Sequence, residues 1–140
     1  LAGSLRAQSV QVNGVQGVTF GNMLPGATTV VSRTDAAAAA RFDLRGGGKR
    51  TVNLTFTLPA MMSGPSGATL PLSYAGGDAG YSSTQNIGSQ ISFDPRTTFN
   101  VTLANNGRGS VFLGCTARPA ANQRPGNYTA TLTLTVVYFP

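Results

Sequence analysis

Between Tyr128 and Tyr138 the side chains alternate without a break. Tyr128, Ala130, Leu132, Leu134, Val136 and Tyr138 share one parity, and Thr129, Thr131, Thr133 and Thr135 the other. Successive side chains of an extended chain point to opposite faces, so the pattern predicts one long strand with an apolar face and a hydroxyl-bearing face. The β-branch of Thr favours extended backbone while its hydroxyl stays solvated. Pro125-Gly126 just before it is a turn signal, with Pro presetting φ and Gly free to take positive values. The strand is about twice the usual length of ~5–6 residues.

A second alternation places Val10, Val12, Gly14, Gln16, Val18 and Phe20 on one face, and Asn13-Gly14 and Gly17 divide it into two candidate segments. Thr51–Leu58 turns Val52, Leu54, Phe56 and Leu58 inward and Asn53, Thr55 and Thr57 outward before Pro59 stops it. Ala36–Ala40 is too short to hold a helix alone and leads into a strand over Ala40–Arg45. Further strands are predicted at Thr28–Arg33, around Leu70, Leu72 and Tyr74, at Ile91 and Phe93, at Phe99, Val101 and Leu103, and at Ser110–Arg118. Met61–Gly67 and Gly76–Gln85 read as loops. Eight or nine strands joined by Gly, Pro and Asn turns predict one all-β domain, an antiparallel β-sandwich. At 140 residues the chain is long enough for a substantial core.

Composition narrows the chemistry. Low charge with many β-formers suits a secreted or surface protein. The chain begins at Leu1, as it would after signal-peptide removal. No apolar run approaches the ~20 residues needed to span a membrane as a helix. The absence of His removes Ser-His-Asp and Cys-His nucleophiles and His-based metal sites. Asp35, Asp43, Asp78 and Asp94 sit in separate turns or on a wet face, so no catalytic residue, metal site or cofactor is expected and the chain is not expected to be an enzyme. Cys115 alternates with Val111, Leu113 and Ala117 and reads as a small buried residue. Tyr74 and Tyr81, beside the polar loop, read as packing residues before sugar-stacking ones. The net charge of +6 is mostly dispersed Arg. The one local cluster is Arg41, Arg45, Lys49 and Arg50, a candidate face for an anionic ligand and more simply a solvated strand face. No nucleic-acid motif accompanies it, so nucleic acid is not expected as a partner.

Two segments carry a resemblance. Val18-Thr-Phe-Gly-Asn-Met-Leu-Pro-Gly26 resembles the F-G-x-x-x-P/A-G opening of a secreted bacterial domain family of uncharacterised function. Ala120-Ala-Asn-Gln-Arg-Pro-Gly-Asn-Tyr128, continuing to Tyr138, resembles its closing A-N-Q-x-x-G-x-Y…V-x-Y. That family is similar to spore coat protein U and to archaic chaperone–usher pilin subunits. The resemblance implies an immunoglobulin-like, pilin-like sandwich lacking one strand, completed by a donor strand from a neighbour. It divides the chain into a candidate donor extension, 1–16, and a sandwich domain, 17–140. Leu5, Val10 and Val12 would insert, and Tyr128, Ala130, Leu132, Leu134, Val136 and Tyr138 would form the acceptor edge. The alternation running on to Phe20 keeps a second possibility open, that Val10 and Val12 belong to the domain's own first strand.

The expected function is a structural subunit of an extracellular filament or surface coat, a pilus or fimbria polymerising head to tail with identical subunits. The resemblance extends the partners to a periplasmic chaperone and an outer-membrane usher. The rival expectations are a monomeric secreted module for anionic polysaccharide and a viral coat or decoration protein.

Overall fold

A computed structural model describes residues 10–18, 20, 24–124, 128 and 130–138. Twelve strands form among them: β1 (Gln11–Gln16), β2 (Thr29–Val31), β3 (Ala40–Arg45), β4 (Thr51–Thr57), β5 (Met61–Ser63), β6 (Thr69–Ser73), β7 (Ala79–Ser82), β8 (Ile91–Phe93), β9 (Phe99–Thr102), β10 (Arg108–Leu113), β11 (Cys115–Ala117) and β12 (Thr133–Tyr138). They make three sheets, ordered β1-β3-β10-β7-β8, β2-β11-β6-β5 and β12-β4-β9. Every pairing is antiparallel. The fold is all-β, as the alternation predicts.

The main core lies between the first and third sheets, where Leu44, Val52, Leu54, Val111, Leu113 and Leu134 are buried. Aromatic rings cross it in a run. Phe42 of β3 meets Phe56 of β4 edge-on at 6.0 Å between centroids, and Phe93 stacks on Phe99 at 4.5 Å. Tyr81 of β7 bridges the same two sheets, its hydroxyl donating to the Thr102 carbonyl at 3.1 Å. Burial pushes its pKa up to about 12. Above the ordinary Tyr value of ~10, the unfolded chain gives up this proton while the folded chain keeps it. The contribution is therefore complete below pH ~10 and is lost as pH rises from there toward 12. Tyr81→Phe should accordingly show a shallower fall in Tm than wild type between about pH 9 and 11.5, measured by circular dichroism.

Four expectations change on contact with the fold. The last strand spans Thr133–Tyr138 rather than Tyr128–Tyr138, because its ladder with β4 begins at Thr133↔Thr57 and Pro59 follows soon after β4 ends. The second alternation breaks at a β-bulge: Gly14 pairs Phe42 and Gln16 pairs Arg41, so one residue is extra. The bulge turns Gln16 outward, where its amide donates to the Ala36 and Ala39 carbonyls at 2.8 Å each. Ala79–Ser82 and Met61–Ser63, expected in loops, are strands. Ser110–Arg118, expected as one strand, is split at Gly114 between two sheets.

Candidate functional site: an apolar groove upstream of the last strand

With β4 stopped before Pro59, Tyr128 and residues 130–132, the described residues just before Thr133, have no ladder on that side. The result is an open groove of about 390 Å³. One lip is Gly14, Gln16, Gly17, Val18 and Phe20, and the other is Tyr128, Ala130 and Leu132. Its floor is the core itself, reached through Phe42, Leu72, Leu113 and Cys115. The Cys115 thiol is pushed up to about 12, chiefly by burial and secondarily by Asp78. It stays protonated at neutral pH and is a packing atom rather than a nucleophile. Tyr74 is likewise raised by burial and donates its hydroxyl to the Pro59 carbonyl at 2.9 Å, tying the floor to the end of β4.

The expected acceptor residues fall into three groups. Tyr128, Ala130 and Leu132 line the groove. Leu134 and Val136 are buried in the domain's own core. Tyr138 is an anchor: its hydroxyl accepts from the Gly47 amide at 2.9 Å, and the Arg50 guanidinium lies 4.2 Å over its ring. Tyr128 anchors the opposite end. Its hydroxyl accepts from Gln123 Nε2 at 2.8 Å and donates to the Arg124 carbonyl at 2.5 Å. Gln123 Nε2 also reaches the Thr69 carbonyl at 3.0 Å, while its Oε1 accepts from the Ala120 amide at 3.1 Å. The Tyr128 ring covers Gly64 so closely that a Cβ there would overlap it. The Gln and first Tyr of the closing motif thus form a latch that holds the groove lip on β6.

Of the expected donor residues, Leu5 lies outside the described residues. Val10 packs against the main core, and Val12 pairs with Leu44 of the same chain. Residues 11–16, expected in an extension, therefore form an edge strand of the domain in the single chain. Val10 sits beside Gly46 and Tyr138, at the far end of β12 from the groove.

The expected cationic face is divided. Arg41 is paired with Asp43 at 3.0 Å and lies over the Phe112 ring. Arg50 stacks on Tyr138. Lys49 occupies the turn after β3 with φ of 57°. Among the described residues Arg45 and Lys49 make none of these contacts, and Arg45 lies beside Arg108 on β10, a neighbour the sequence did not single out. Among the described residues no helix is long and apolar enough to cross a membrane.

No curated protein matches the chain. The profile of one family, described as a domain of unknown function (DUF4402), matches residues 1–138. The groove, the Tyr128 latch and the Tyr138 anchor all lie within that span, and the chain belongs to this DUF4402 family.

Proposed function

We propose that the protein is a structural subunit of an extracellular filament or coat, assembled head to tail from identical copies. The observation that carries this is the open apolar groove upstream of β12. It has the form an extended peptide fills by adding backbone hydrogen bonds along an edge and placing alternate side chains in the core. An unpaired edge of this kind is an aggregation hazard unless something covers it. The resemblance to pilin subunits and spore coat protein U supports the same reading.

The pairing of β1 with β3 moves the proposed donor upstream, to the residues before Val10 that include Leu5. The distance from Tyr128 to Leu132 is about 14 Å for extended backbone. The stretch preceding Val10 reaches up to ~30 Å, which suffices. Polarity favours a neighbour over self-filling. The chain leaves β1 beside Tyr138, whereas the groove lies at the Tyr128 end. A segment leaving one end and docking at the other end of the next copy generates an open chain rather than a closed ring.

The test is a disulfide cross-link on a Cys115→Ala background, with Leu5→Cys or Ala7→Cys combined with Ala130→Cys. Mild oxidation should give a ladder of covalent multimers on a non-reducing gel. A monomer that shifts without a ladder would mean the groove is filled by its own chain. An unchanged monomer with both pairs would place the donor elsewhere.

A further inference from the structure

The outward face of the β1-β3-β10 sheet carries a second groove, of about 620 Å³, bordered by Gln11, Asn13, Asp43, Arg45, Gln85 and Arg108. Register builds it. Arg45 of β3 pairs with Gln11 of β1 on one side and Arg108 of β10 on the other, so three polar side chains stand in one row across the sheet. The next row is Asn13, Asp43 and Ser110. Asp43 is already engaged, accepting from Arg41 Nε at 3.0 Å and from the Ser110 hydroxyl at 2.7 Å.

Arg45 and Arg108 are thus like charges set directly opposite one another, an arrangement that destabilises a sheet. Among the described residues neither has a carboxylate within salt-bridge distance. Gln85 borders the groove with φ of 59°, a left-handed conformation that is unfavourable for a residue with a Cβ. Its amide bonds the Gly109 carbonyl at 3.4 Å. Two features with a stability cost, a like-charge pair and a left-handed Gln, meet at one groove. Strain of this kind persists where the surrounding structure enforces it and clusters at ligand sites.

We infer that this groove binds a carboxylate-bearing sugar, a uronic acid unit of an acidic polysaccharide. Planar guanidinium forks match a carboxylate bidentately. The amides of Gln11 and Asn13 each offer donors and an acceptor, and Gln85, with one N–H held by the Gly109 carbonyl, adds its second N–H and its oxygen, the complement of sugar hydroxyls. No aromatic side chain borders the groove, so recognition rests on charge and hydrogen bonds and weakens as salt rises. The ligand set differs from the cationic run in the sequence: Arg41 is neutralised by Asp43, and Arg108 takes its place.

The experiment is calorimetric titration of the full chain with trigalacturonate, its fully methyl-esterified form and inorganic phosphate. Trigalacturonate should bind, the ester at least tenfold more weakly. Arg45→Gln and Arg108→Gln should each weaken binding at least tenfold, with Arg108→Gln keeping a Tm at or above wild type. Lys49→Gln, away from the groove, should leave binding within about twofold. Equal binding of ester and acid, equal binding of phosphate, unchanged affinity in both Arg variants, or no binding of trigalacturonate would each overturn the assignment. The readout is independent of whether the chain polymerises.

Discussion

Phe112→Ala is expected to lower stability by about 3–5 kcal/mol, the range for deleting a buried aromatic ring. Phe112 is 1% exposed, yet it belongs to neither apolar cluster of the core. It points to the outer face of its sheet, between Arg41 of β3 and Gly80 of β7 in register. That face is roofed. Gln16 reaches across to the Ala36 and Ala39 carbonyls. Arg33 and Gln90 exchange hydrogen bonds at 2.9 and 3.0 Å over Gly80. The Arg41 guanidinium lies 5.4 Å from the Phe112 ring centroid. Removing the ring leaves a void beneath this polar cover, which cannot collapse without losing its hydrogen bonds. Chemical denaturation read by circular dichroism measures the loss, with Phe112→Leu expected to retain most of the stability and Val30→Ala, at 66% exposed, to be near neutral. A loss under about 1 kcal/mol for Phe112→Ala would mean that the roof does not seal the face.

Gly114→Ala should cost about 3 kcal/mol, at the upper end for overpacking. Gly114 is the point where one extended run leaves the β1-β3-β10 sheet as β10 and enters the β2-β11-β6 sheet as β11. Its amide donates to the Asp78 carbonyl at 2.8 Å. A Cβ there would meet the Val31 carbonyl oxygen, with the Arg33 amide nitrogen at 2.9 Å and the Ser32 carbonyl carbon at 3.0 Å. All three are backbone atoms, so no side-chain rotation relieves the clash, and β2 must move away from β11. Gly77→Ala is the control, since a Cβ at Gly77 would meet nothing within 4 Å. The two should differ in Tm by roughly 10 °C. Equal Tm values would show that β2 is not held against this crossing.

The candidate groove was only half legible. Of the six residues that the alternation from Tyr128 to Tyr138 puts on one face, Tyr128, Ala130 and Leu132 line the groove, because parity decides which side chains share a face. It could not reveal that only Thr133–Tyr138 is paired, since pairing depends on where the partner strand stops. Pro59 was visible as a stop for β4, but its consequence fell some seventy positions away in the chain. On the near lip a β-bulge between Gly14 and Gln16 shifts the register by one residue, and no residue in the sequence announces it. In the cationic cluster, the alternate positions of Arg41, Asp43 and Arg45 place them on one face of β3. The Arg41–Asp43 pair forms within β3, whereas only the cross-strand register shows that Arg108 stands beside Arg45.

Ala79–Ser82 was missed for a related reason. Ala, Gly, Tyr and Ser set among further Gly and Ser look like a loop, yet all four are buried. Small residues there make room for the roof, as Gly80 does beneath Gln90 and Arg33. Likewise Arg108–Leu113 shows no clean alternation because it is a central strand covered on both faces.

The all-β class, most strand positions and the apolar face of the strands that alternate cleanly were legible in the sequence, since these follow from backbone periodicity and local turn chemistry. The tertiary structure alone decided where the long terminal alternation is paired and where it stands open. It also decided that residues 11–16 cover their own domain and which cations lack a counter-ion. Each of these depends on what lies across from a residue, and that is fixed by the folding of distant segments against one another.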